Sequence, residues 1–161
     1  MDVENPLNHF NENGEVHMVD VGEKENSFRQ AIACGDIFMK RETLKLISSG
    51  NVSKGDVFGT ARLAGIMAAK NTSNLIPLCH PIQLTNISID LAAQESENKV
   101  KITASVKSMG KTGVEMEALT AVNIAALTIY DMVKSADKNM RISNIRLVLK
   151  DGGKSGKYEA A

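Results

Sequence analysis

Lys54, His80, Glu115, Glu117, Asp131 and Lys134 are the residues whose types and positions suit acid–base chemistry. They fall in two stretches, KGDVFGTARLAGIMAAKNTSNLIPLCHP (54–81) and GKTGVEMEALTAVNIAALTIYDMVK (110–134), beside glycines and prolines that end elements. Element ends are where loops are aimed and where catalytic groups concentrate, so the placement favours an enzyme over a plain scaffold. Asp131 and Lys134 are three apart and share a helix face. Alone, such a pair is an ordinary surface ion pair of small worth. Asp131 also follows the apolar run AALTIY, where a carboxylate is expected to be partly desolvated. A desolvated acid beside a lysine makes a general acid/base pair. Glu117 and Asp131 lie on one side of the same predicted helix but roughly 21 Å apart along it. One small-molecule site can hardly use both from a single chain, which points to an active site shared between subunits.

His80 stands in IPLCHP, between Pro77 and Pro81, which fix the local backbone. One His beside one Cys is too few ligands for zinc. A catalytic base, a ligand contact and a packed loop histidine all remain open. Cys79 is most simply a small buried residue, and His9 is assigned no role. GKTG (110–113) and GKSG (153–156) are half P-loops. A Walker A motif needs a glycine five positions before its Gly-Lys, and Ser105 and Val148 stand there. GKTG still lies between a predicted strand and a helix start, where free amides favour an anion. Glu115 and Glu117 in that first turn would repel phosphate, so a simple strand-to-helix turn is equally open.

The elements that position these groups follow from periodicity. Phe28–Lys40 reads as a strand, with Gly35 marking a bulge. Glu42–Ser49 is a short helix stopped by Gly50-Asn51. Asp56–Lys70 is a long helix loaded with Gly59, Ala61, Ala64, Gly65, Ala68 and Ala69, with Asp56 as its N-cap or first-turn acid. Such small residues admit a close neighbour. Ile87, Ile89 and Leu91 share one face of a strand, as do Val100, Ile102, Ala104 and Val106, and Gln94–Asn98 joins the two as a hairpin. Glu115–Ser135 is the second long helix, with Ala118, Ala121, Val122, Ala125, Ile129 and Met132 as its apolar stripe. Ile145, Leu147 and Leu149 give the last strand. The order β-α-β-β-α-β, with a short extra helix in the first crossover, is the α+β, ferredoxin-like pattern: an antiparallel sheet with helices on one face. The other sheet face must be solvated or covered by a partner.

Composition narrows the function classes. The chain has 161 residues, enough for one cored domain. Residues 1–16 are polar and expected to be a flexible segment; 17–161 are expected to form a single catalytic domain. Nineteen basic and 19 acidic residues cancel, leaving no domain-wide field for duplex nucleic acid. Aromatics are 4% and Trp is absent, so stacking platforms for single strands are scarce. Lys150, Lys154 and Lys157, relieved by Asp151, read from charge alone as a solvated tail. Two cysteines, Cys34 and Cys79, make neither a disulfide framework nor a zinc site. No signal peptide and no long uncharged apolar run are evident. The expected compartment is the cytoplasm, without membrane or nucleic-acid partners.

KGDVFGTARLAGIMAAK, LIPLCHP, GKTGVEMEALTA, TIYDMVK and KDGGKSG, with HMVDV at 17–21, resemble the MoaC family of molybdenum-cofactor biosynthesis. The resemblance runs from about His17 to Gly156; Gly59, where alanine is commoner, is a small departure. It implies a cyclic pyranopterin monophosphate synthase: a hexamer, a trimer of dimers, with sites at the dimer interface. The implied substrate is the 3′,8-cyclised dihydroguanosine triphosphate, and the products are cyclic pyranopterin monophosphate and pyrophosphate. It assigns Asp131 as the acid/base and Lys54 and Lys134 as proton carriers or charge neutralisers. It places Leu78, Cys79 and His80, and Glu115, Met116 and Glu117, on the substrate. Arg29, Lys150 and Lys154 are implied to meet the triphosphate, reversing the tail reading of the C-terminal lysines. No protein-held metal is implied, though Mg²⁺ could accompany the triphosphate. The rivals from the residues alone are a non-catalytic ligand-binding module, an RNA-binding domain of the same topology, and a nucleotide phosphohydrolase.

Overall fold

The computed structural model describes residues 9–11, 13–50, 52–154 and 156–161. Strand β1 (Ser27–Phe38) leads to α1 (Arg41–Ser48), α2 (Val57–Lys70) and the one-turn α3 (Thr72–Leu75). A hairpin follows, β2 (Leu84–Gln94) and β3 (Lys99–Gly110), joined by a 3₁₀ turn over Glu95–Glu97. Then come α4 (Glu115–Val133), β4 (Arg141–Asp151) and the two-residue β5 (Tyr158–Glu159). The sheet order is β2-β3-β1-β4-β5 and every pairing is antiparallel.

The alternation in the strands decides the layers. Ala31 and Ala33 of β1, and Val100, Ile102, Ala104 and Val106 of β3, are fully buried. The predicted stripe of α4, from Ala118 to Met132, is buried with them in one core cluster. α4 packs on β1, β3 and β4, and α2 lies beside α4 and against β2. The small residues of α2 do what their size allows: a Cβ on Gly65 would lie 2.9 Å from the Ala121 carbonyl oxygen. The β1–β4 register slips between Cys34 and Asp36, where two steps of β1 face three of β4, so the predicted bulge lies beside Gly35 but its extra residue belongs to β4; α4 Val122 sits directly over Gly35. Asp56 caps α2, its carboxylate accepting from Gly59 N–H at 2.9 Å.

Element boundaries shift by one or two residues. β1 ends at Phe38, not Lys40, because Asp137 takes the Lys40 N–H at 2.8 Å and turns the chain into α1. α4 ends at Val133, with Lys134 as its C-cap. α3 and β5 were not foreseen; at four and two residues they are too short for periodicity to show. α4 is long and apolar enough by composition to cross a membrane. Here it is the core helix. The expected flexible segment falls largely on residues 1–8, outside those described; Phe10 and Val16 pair as an isolated bridge. Asn51 of the predicted α1 stop also lies outside the described residues.

Candidate active site

The turn after α3 and the first turn of α4 face each other across an open groove of about 320 Å³. Leu78, Cys79 and His80 line one wall, and Gly113, Glu115, Met116 and Glu117 the other. Val19, Val21 and Lys24 complete it from the N-terminal side. Those N-terminal residues were not singled out by chemistry; HMVDV entered the sequence analysis only as part of the family resemblance, with no role given to its residues.

Glu117 is the unusual group. It sits in the third helical position of α4 and is only 3% exposed. Burial pushes its carboxyl up to about 7, opposed by its own main-chain N–H and helped, to a lesser degree than either, by the neighbouring Glu115 carboxylate. Glu117 can therefore either accept or donate a hydrogen bond near neutral pH. Burial, then Glu117, also push the Cys79 thiol up, which keeps it a protonated, weakly nucleophilic group. His80 Nε2 lies 2.7 Å from the Val19 carbonyl oxygen. A carbonyl only accepts, so Nε2 carries the proton.

Beside the groove two lysine-bearing loops meet on Arg29. Its Nε and Nη2 donate to the carbonyls of Gly110 and Lys111, both at 3.2 Å. A side chain on Gly153 would run into the same guanidinium, and one on Gly152 into the Phe28 carbonyl. Gly152 and Gly153 have positive φ, +98° and +80°, so the loop needs them twice over. Lys150 reaches the Glu115 carboxylate at 3.6 Å, joining β4 to the groove wall. Lys154 is exposed on the adjoining loop; Ser155 lies outside the described residues.

The third cluster stands apart. Lys134 Nζ donates to Asp131 Oδ1 at 2.7 Å, and Lys54 Nζ donates to the Asp131 main-chain carbonyl at 2.9 Å, with Oδ2 at 3.8 Å. The expected desolvation of Asp131 is not found: its side chain is 62% exposed in the protomer, because it points away from the buried stripe of α4. The Lys134 hydrogen bond, its charge, and then Lys54 hold the Asp131 carboxyl below its ordinary value. The same bond raises Lys134. The result is a carboxylate flanked by two lysines, not a neutral acid. Because α4 is one unbroken helix, Glu117 and Asp131 are roughly 21 Å apart along it.

The structure thus gathers Leu78, Cys79, His80, Glu115, Met116 and Glu117, with Arg29 and Lys150 adjoining, at one end of α4. It gathers Lys54, Asp131 and Lys134 at the other. Among the described residues no group of three or more His, Cys, Asp or Glu is clustered as a metal site.

The sequence model of the MoaC family matches residues 18–153. A protein of Cereibacter sphaeroides is 56% identical over 155 residues, 96% of this chain and 98% of its own. One of Heliobacterium modesticaldum is 57% identical over 153 residues, covering 95% and 96%. One of Thermoanaerobacter sp. is 56% identical over 153 residues, covering 95% and 97%. All three are named cyclic pyranopterin monophosphate synthase. At this identity, over nearly the whole of each chain, the groove and the Lys54–Asp131–Lys134 cluster are those of a chain that belongs to the MoaC family.

Proposed function

We propose that this protein converts 3′,8-cyclo-7,8-dihydroguanosine 5′-triphosphate into cyclic pyranopterin monophosphate and pyrophosphate, in molybdenum cofactor biosynthesis. The observation that carries the reading is 56% identity, over nearly full length, to proteins named for that product. The reaction is that of a phosphorus–oxygen lyase. A sugar hydroxyl attacks the α-phosphorus and gives up its proton, and the bond to the bridging oxygen breaks to release pyrophosphate.

The geometry supports a division of labour. The groove takes the heterocycle: Glu117, titrating near neutrality, meets its N–H edge, with His80 opposite. Lys150, Lys154 and Arg29 neighbour the triphosphate. Arg29 already spends two donors on carbonyls, so its main service is to hold the two loops together. Asp131, kept charged, serves as the base or holds two ammonium groups in place. Lys134, whose proton the Asp131 hydrogen bond holds more tightly, stays an ammonium and suits neutralising the charge that develops on the substrate. Mg²⁺ belongs to the triphosphate rather than to a protein site.

The clusters combine across a subunit boundary in this reading, as a homohexamer built as a trimer of dimers. Leu63 and Met67, one turn apart on α2, and Leu127 on α4 are 60%, 55% and 53% exposed, an apolar face suited to a second subunit. The strand order β2-β3-β1-β4, with α2 and α4 packed on it, is read as ferredoxin-like. The compartment is the cytoplasm.

The test is turnover. The purified protein, given the cyclised triphosphate generated in situ by the upstream radical enzyme, should yield the cyclic monophosphate and stoichiometric pyrophosphate. Unconsumed substrate with an intact oligomer would instead favour a binding module.

A further inference from the structure

We propose that Lys111 is a positioning residue: with His80 it clamps Val19–Gly22 over the groove as a roof, and the GKTG turn anchors this strap rather than cradling phosphate. Lys111 Nζ donates to the Gly22 carbonyl at 2.5 Å, a charge-assisted bond of the stronger kind. His80 holds the Val19 carbonyl at 2.7 Å. The two tethers are three residues apart on one extended segment. Between them Val19 and Val21 turn inward, half-buried and lining the groove, while Met18, Asp20 and Gly22 face out. The segment ends in a turn, with Gly22 N–H on Asp20 Oδ1 at 2.7 Å and Lys24 N–H on the Val21 carbonyl at 3.1 Å.

GKTG is already committed on every side. Arg29 holds the carbonyls of Gly110 and Lys111, fixing the turn from which the Lys111 side chain leaves. The Glu115 carboxylate lies against Gly113, so closely that a Cβ there would collide with it. A carboxylate thus occupies the start of α4, the place an anion would take, and pairs with Lys150 at 3.6 Å. Phosphate at this turn would face that carboxylate and would have to take the ammonium from Gly22. The lysine serves the strap, and the strap bounds the groove that Glu117 also lines.

Hydrogen–deuterium exchange on the intact oligomer tests the clamp directly, at the peptide spanning residues 18–25. Lys111→Met should speed exchange there about tenfold, the worth of one charge-assisted hydrogen bond. Lys111→Arg, which keeps a long cationic donor, should restore protection. Unchanged exchange in Lys111→Met would overturn the clamp, whatever happens to activity. Only the kinetic arm rests on the proposed function. Lys111→Met should raise KM about tenfold while kcat stays within about threefold, because a roof holds ground and transition states alike. If Lys111→Met loses inhibition by inorganic pyrophosphate about tenfold with exchange unchanged, Lys111 is a phosphate ligand and the proposal fails. Should the wild type turn over nothing, the functional reading fails while the exchange comparison still decides the clamp.

Discussion

The two acidic centres divide sharply at the scale of single residues. Asp131 is exposed and held charged by hydrogen bonding to Lys134, while Glu117 is buried and pushed up to about 7. Asp131→Asn keeps the shape and removes the charge. We expect kcat to fall at least about 100-fold, with the oligomer intact by light scattering; near-wild-type kcat would remove Asp131 from the chemistry. Glu117 makes a stability prediction with the opposite sign from a salt-bridged acid. Its folded carboxyl binds a proton more tightly than the unfolded one, so between pH 4.5 and about 7 the native state holds more protons. Stability therefore falls as pH rises through that window and is flat above it. The loss amounts to about 3 kcal/mol as an order of magnitude. Glu117→Gln, which is always neutral, should be the more stable protein at pH 8 and nearly equal at pH 4.5. Denaturant titrations of both at the two pH values would show it, and parallel pH curves would refute the buried-acid account. The residue types at both centres were legible in the sequence. Their protonation was not, because burial depends on what packs against each face of α4.

Among the elements, the periodic ones were legible and the aperiodic ones were not. Alternating Val100, Ile102, Ala104 and Val106 could only be a strand with one buried face. The stripe from Ala118 to Met132 could only be a helix. The segment 17–24 forms no strand ladder among the described residues, so its role as a groove wall was invisible until the groove formed. The small-residue face of α2 gives a prediction of its own. Gly65→Ala adds about 1 kcal/mol of helix propensity. It also drives a methyl to 2.9 Å from the Ala121 carbonyl oxygen, a backbone atom that cannot rotate away. Overpacking of this kind costs about 1–3 kcal/mol. The collision should win, lowering the unfolding midpoint modestly; a raised midpoint would mean that α2 and α4 can separate without cost.

At the scale of the whole molecule, the chain presents two side-chain clusters that α4 keeps apart, which the proposed function joins across a subunit boundary. A site built across a two-fold interface predicts complementation. Asp131→Ala and His80→Ala variants should each be inactive, yet subunits mixed 1:1 by co-refolding should regain activity. Random pairing makes half the dimers mixed, each with one intact and one doubly damaged site, so about a quarter of wild-type activity should return. No recovery, with mixed oligomers verified by mass spectrometry, would place each complete site within one chain. Replacing the exposed Leu63 and Met67 with glutamate should break the oligomer at the same time as the activity.

By itself the sequence determined the order of the long elements, the acid at the start of α2 and the buried stripes, because each is written in spacing along a single segment. It also determined the family, through long motifs kept in order over the chain. Only the tertiary structure decided that Arg29 ties two loops together, that Lys111 and His80 hold the strap, and that Asp131 is exposed while Glu117 is buried. Each of these depends on which residues distant in sequence become neighbours once α4 and the flanking loops settle on the sheet. Local spacing carries no record of that.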